Sequence, residues 1–191
     1  RIFQYIQNIY NTNTPLPTSR WKISDRYILP QKNNTYGLGF YKNLEDSFIE
    51  LSVEAYYRKT DNNLTYKPGA DFFLSEYIER EITQAKGKSY GVEISLKKTL
   101  GAFNGVLNYT WSRSLLKTDE LNPQYKINNN SWFNSDFDRP HTVNASLNFE
   151  NDKYNTVSLN FVGQTGRPFT IANGIFERQN VTIPIYLSRN N

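Results

Sequence analysis

The sequence reads as all-β, an antiparallel transmembrane β-barrel wall. Three observations carry that reading: apolar and polar residues alternate with period two, connections alternate between tight and very long, and aromatic residues gather at strand ends. Aromatic residues make up 15% of the 191 residues, with 14 Tyr and 12 Phe, a composition that pleated, half-buried surfaces favour. Mean hydropathy is nevertheless -0.67. A chain rich in large rings but hydrophilic on average must space its apolar groups regularly among Asn, Ser, Thr and Lys, as two-faced strands do.

No stretch approaches the roughly 18 consecutive apolar residues of a transmembrane helix, whereas a barrel strand needs only about 9 to 11 residues with one apolar face. Cysteine is absent, which removes disulfides and thiolate metal sites. Six N-x-S/T triplets, among them those at Asn63 and Asn108, fit chance in a chain this rich in Asn, Ser and Thr better than glycosylation. The net charge of +4 is spread over every segment rather than set in one stripe, so nucleic acid is not an expected partner. The opening RIFQYIQNIY reads as the middle of a strand, and the expectation is one segment of a larger protein.

The clearest strand is SFIELSVEAYYRK, with Ile49, Leu51, Val53, Ala55 and Tyr57 on one face and Glu50, Ser52, Glu54, Tyr56 and Arg58 on the other. Before it, Tyr36, Leu38 and Phe40 alternate with Gly37, Gly39 and Tyr41, and only residues 43–47 intervene, which predicts a hairpin. A second hairpin sets Tyr90, Val92, Ile94 and Leu96 against Gly91, Glu93, Ser95 and Lys97, then turns at residues 99–102 into FNGVLNYTWSR. Val106 is the one exception on the polar face of that strand. A third joins HTVNASLNFE to YNTVSLNFVG. Counting the opening segment, the reading is about seven spans, all antiparallel, too few to close a bacterial barrel.

Between hairpins lie residues 11–34, 60–87, 115–138 and everything after Thr165, each over roughly 20 residues against the usual handful in compact domains. Outer-membrane barrels show this asymmetry, with short periplasmic turns and long extracellular loops. Rings fall where interfacial girdles belong: Tyr36, Tyr57, Tyr90, Tyr109 and Trp111 near the long-loop end, and Phe40, Tyr41, Phe103, Phe149 and Tyr154 near the short-turn end.

The ordered strings RWKISDRYILPQ (20–31), YGLGFYKNLEDSFIELSVEAYYRK (36–59), YKPGADFFLSEYIE (66–79), GKSYGVEISLKK (87–98), GVLNYTWSRS (105–114), DFDRPHTVN (136–144) and QTGRPFTIANG (164–174) carry a family resemblance. Across nearly the whole chain, the sequence resembles the C-terminal barrel part of TonB-dependent receptors of the Bacteroidota. The resemblance implies a 22-stranded outer-membrane barrel of a Gram-negative cell, importing a bulky nutrient and doing no catalysis. It implies as partners an N-terminal plug domain, the rest of the barrel, an inner-membrane TonB complex and a surface lipoprotein. Residues 1–191 are expected to supply one stretch of barrel, without the plug.

Candidate sites follow from position. Arg20, Trp21, Lys22, Arg26 and Tyr27 in the first long loop, with Trp132 and Phe133 in the third, are basic and aromatic groups where an external ligand arrives, and basic loop residues also suit lipopolysaccharide phosphates in the outer-membrane lipid. Glu50, Glu54, Glu93 and Lys97 are expected to face the lumen. Glu50 and Glu54 lie about 13 Å apart along one strand, beyond the roughly 5 to 9.5 Å of a glycosidase pair. Glu93 is a candidate partner for Arg58 or Lys97. His141 is the sole histidine, so neither a metal cluster nor a serine triad is indicated, and no cofactor is expected. With Asp138, Arg139 and Pro140 it reads as rim architecture at the start of a strand, where proline needs no ladder donor. Two other readings of the same pattern are a barrel scaffold without transport and a soluble carbohydrate-binding β-sandwich.

Overall fold

The computed structural model describes residues 6–10, 20–44, 48–70, 77–152, 155–178 and 181–190. Strands β1 (Ile6–Tyr10) and β2 (Arg20–Ile23) form one small antiparallel sheet. The wall is a second sheet, in which β3 (Lys32–Leu44), β4 (Ile49–Tyr66), β5 (Ile82–Lys98) and β6 (Phe103–Thr118) pair in sequence. A two-residue strand, β7 (Phe133–Asn134), pairs at the far end of β6, and β8 (His141–Glu150) and β9 (Thr156–Gln164) complete the sheet. Strands β10 (Ala172–Arg178) and β11 (Val181–Tyr186) form a separate hairpin. Every pairing is antiparallel, and the edges β3 and β9 have no strand beside them among the described residues, so the wall is open.

The wall's composition differs from the sequence count in two ways. The opening strand pairs with Arg20–Ile23 rather than joining the wall, and β7 takes its place as the seventh member. The long connections are also partly strand: β4 runs on to Tyr66 and β5 starts at Ile82, leaving only residues 67–81 between them. Polar Asn, Thr and Lys in these extensions hide strand character, because period-two alternation is visible only when one face is apolar.

Register settles the faces. Leu51, Leu96 and Leu107 stand in one cross-strand row, followed by Val53, Ile94 and Tyr109, then Ala55, Val92 and Trp111. The opposite face carries Ser52, Ser95 and Asn108, then Glu54, Glu93 and Thr110. No slip interrupts either face between Ile49 and Thr60, since a one-residue shift would put every apolar group on the polar side. Tyr36, Tyr57 and Tyr90 align across three strands, and Tyr90 meets Trp111 edge to face at 5.9 Å.

Among the described residues nothing covers the apolar face. Leu38 is 81% exposed, Val157 65% and Ile94 38%. The accessible surface totals 14243 Å², whereas a compact soluble chain of 22.3 kDa exposes roughly 9,400 Å². A soluble β-sandwich would lay a second sheet on this face. The core lies elsewhere. Strands β4, β5 and β6 have 18, 17 and 16 residues, against 10 and 9 in β8 and β9, so they project roughly 20 Å past the short strands as a flange at the long-loop end. Among the described residues, every buried apolar side chain, Ile28, Ile82, Ala85, Leu116, Ile127 and Phe133, belongs to the flange or to loops seated on it.

Candidate functional site

Beyond Trp111, β6 loses β8 as its neighbour, and its edge would be left without partners. The DRPH segment fills that gap. Ser112 N donates to Pro140 O at 3.0 Å, and Ser114 N donates to Asp138 Oδ1 at 2.6 Å. Ser135 N donates to Ser114 O at 2.8 Å, after which β7 resumes the ladder at Leu115 and Leu116. Asp138 is 3% exposed, and its second oxygen holds Arg113 Nε at 3.1 Å. Arg113 also donates to Asn134 Oδ1 at 2.7 Å. Arg139 bonds Gln164 on β9, and Tyr109 Oη lies 2.9 Å from His141 Nδ1 with the two rings stacked.

Inside the flange, the row that carries Glu54 and Glu93 continues as Thr60, Thr65, Ala85, Leu116 and Thr118, all buried. The third long loop folds over this row. Ile127 and Phe133 pack with Leu116, and Thr118 Oγ1 lies 3.3 Å from Asn130 Oδ1. Asn128, Asn129 and Asn130 all take left-handed backbone, with φ of 47, 54 and 59°, a conformation that asparagine tolerates better than most residues. Their side chains then act as backbone surrogates. Asn128 exchanges two hydrogen bonds with the main chain of Arg189, and Asn130 brackets Glu120 in the same manner.

Arg189 and Asn190 tie the last described segment to this lid. The Arg189 guanidinium lies 3.5 Å from the Tyr66 ring centroid, donates to Tyr66 O at 3.0 Å and pairs with Asp136 at 3.4 Å. Its Nε is buried without a hydrogen-bond partner among the described residues. Asn190 donates to Asp136 at 2.5 Å and to Asn134 O at 2.9 Å. Burial pushes the Tyr66 phenol above its ordinary value, while Arg189 beside it pulls the other way. Next to Arg189 opens a cavity of about 700 Å³, lined by Tyr66, Ile127 and Tyr186 together with Lys67, Lys126 and Arg189 and, among the described residues, by no carboxylate.

A surface pair fastens the flange ends of β5 and β6: Lys86 Nζ is 2.5 Å from Asp119. The hydrogen bond from Lys86 holds the Asp119 carboxyl below its ordinary value, and the same bond raises Lys86. A depressed carboxylate stabilises only while ionised, so the contribution is complete above the ordinary carboxylate range and disappears as pH falls through the lowered value. The protection of amides 115–119, their slowing relative to the intrinsic exchange rate at each pH, should therefore fall on acidification below that range, and Asp119→Asn should remove that fall.

On the polar face the structure brings together a different set from the one expected. Lys97 pairs with Glu50 at 3.2 Å, and Arg58 Nε donates to Thr35. Glu93 therefore reaches neither Arg58 nor Lys97, because the register sets it directly opposite Glu54. Tyr41 Oη donates to Glu54 at 2.6 Å, its ring lying over Gly39, where a Cβ would meet it at 2.9 Å. Among the described residues no cation pairs with Glu54 or Glu93.

The loop candidates also separate. Trp21 is 63% exposed, and Arg26 and Tyr27 stack on each other at the surface above a buried Ile28. The side chains of Arg20 and Lys22 lie outside the described residues. Phe133 is not presented to solvent: it is 4% exposed, because its position opposite Leu116 turns it into the lid's core. Its neighbour Trp132 faces the other way and covers Lys88 at 4.3 Å. Tyr66, Asp136, Arg189 and the three asparagines gave no recognised signal, although an Asn-Asn-Asn run is itself a cue for left-handed backbone.

A two-faced antiparallel wall with an uncovered apolar side, ringed by aromatics and carrying its core in the loops, defines a transmembrane β-barrel segment. The family model described as TonB dependent receptor-like, beta-barrel matches residues 3–186, and the chain belongs to that family. The family is one of outer-membrane receptors of Gram-negative bacteria, transporters rather than enzymes. Neither the curated proteins nor the solved structures compared with the chain give a match.

Proposed function

We propose that the chain supplies wall and external loops to an outer-membrane receptor of the Bacteroidota that imports a bulky nutrient by energy from a TonB complex. The basic cavity beside Arg189 at the long-loop end carries this reading, since its volume suits a ligand pocket. Lys67 and Lys126, with no carboxylate among the described lining residues, suit a nutrient bearing an anionic group, while Arg189 is already paired with Asp136. Trp21, Arg26 and Tyr27 guide its approach, and Asp138 to His141 hold the rim on which the lid rests. Glu54 and Glu93, facing each other with no cation paired to them among the described residues, suit a basic side chain of the plug domain. Outer-membrane lipid surrounds the wall, and a surface lipoprotein is the fitting partner at the loops.

A strain lacking the full gene should lose growth on one nutrient at limiting concentration. The intact gene should restore it, and the gene carrying Arg189→Ala with Lys126→Ala should restore it poorly while the receptor still reaches the outer membrane. Wild-type growth of the deletion strain on every anionic nutrient tried would end this reading.

A further inference from the structure

Resting on that membrane reading, we infer a binding site for a lipid phosphate on the outside of the wall, formed by Lys59, Lys88 and Trp132. Lys59 and Lys88 are direct cross-strand partners of β4 and β5. Like charges placed opposite each other repel and are normally avoided in sheets. Neither lysine has a carboxylate in ion-pair range among the described residues. Asp119 holds Lys86 and lies 3.9 Å from Lys117, and Asp61, two residues beyond Lys59 and across from Lys32 in the register, makes no ion pair with either lysine.

Register fixes which side these lysines occupy and how high. They share the face of Tyr57 and Tyr90 and lie two residues beyond them, about 7 Å farther toward the loops. An aromatic girdle marks the boundary between acyl chains and headgroups, so the next row outward lies at headgroup depth on the lipid side. Trp132 projects to that same side, because its neighbour Phe133 pairs inward with Leu116, and its indole lies over the Lys88 ammonium at 4.3 Å. The indole is 42% exposed and extends the patch with a flat amphipathic wall. Two lysines sharing one anion, with their stems along the girdle and an indole beside them, match a phosphorylated glycolipid headgroup of the outer leaflet. A soluble phosphate-bearing nutrient arrives through the lumen and does not meet this face.

The test uses the full receptor, extracted from outer membranes in mild detergent and incorporated into nanodiscs containing lipid A with or without its phosphates. Native mass spectrometry should show phosphorylated lipid A retained by the wild type, and Lys59→Ala with Lys88→Ala should weaken retention on the order of tenfold. Lys59→Arg with Lys88→Arg should retain it, and heat-modifiable gel mobility reports that each variant is folded. Equal retention by the folded alanine variant, equal binding of dephosphorylated lipid A, or displacement by millimolar inorganic phosphate with no lipid preference would overturn the site. A receptor that never fractionates with the outer membrane would instead overturn the membrane reading on which the site rests.

Discussion

Asp138→Ala is expected to destabilise the folded receptor by about 3 kcal/mol, measured by urea unfolding in lipid vesicles. The substitution leaves the Ser114 N–H without its 2.6 Å acceptor and Arg113 without its 3.1 Å counter-charge. An orphaned buried donor costs roughly 1–3 kcal/mol, and breaking a buried ion pair from one side roughly 3–5 kcal/mol. Arg113 keeps 33% of its side-chain surface in contact with solvent and retains Asn134, so losing its pair costs less than losing a fully buried one, and the total comes to about 3 kcal/mol. Asp138→Asn keeps an oxygen for Ser114 and should cost about half as much. A loss under about 0.5 kcal/mol for alanine, the range of ordinary surface changes, would show that the segment does not substitute for the missing strand.

Ile94→Arg should cost about 2–4 kcal/mol, the range for a basic side chain at the bilayer midplane. Ile94 lies halfway along β5 between Tyr90 and Lys98, in a row with Val53 and Tyr109 on the uncovered apolar face. Ser95→Arg, one residue on, points to the polar side and should cost less than half of that. The contrast is the informative quantity, since it depends on the alternation of faces and not on general tolerance of β5. Equal costs at the two positions would place the apolar row away from lipid.

The wall was legible because its code is local. Ile49 to Tyr57 alternates without error, and pairing repeats that pattern on each neighbour. Tight turns between adjacent strands then allow few registers. The flange was illegible for the same reason. At Thr60 to Tyr66 and Ile82 to Lys88 both faces are polar or mixed, so strand and loop look alike in sequence. The site was less legible still. Arg189 and Tyr66 are 123 residues apart, and Asn190 reaches Asp136 across 54. No spacing rule predicts such contacts. Trp132 and Phe133 drew notice as an exposed aromatic pair, yet adjacent residues on extended backbone face opposite ways, and one of them had to turn inward.

Pairing along the wall runs almost wholly between neighbours in sequence: β3 with β4, β4 with β5, β5 with β6, β8 with β9. Each closure spans a short length of chain, and the loop-closure entropy it costs grows only slowly with length. Such a sheet can zip up one hairpin at a time, every finished strand serving as template for the next. The open edges of β3 and β9 would seed aggregation in water. During insertion into a membrane, those edges become the growing points at which further strands are added until the circle closes.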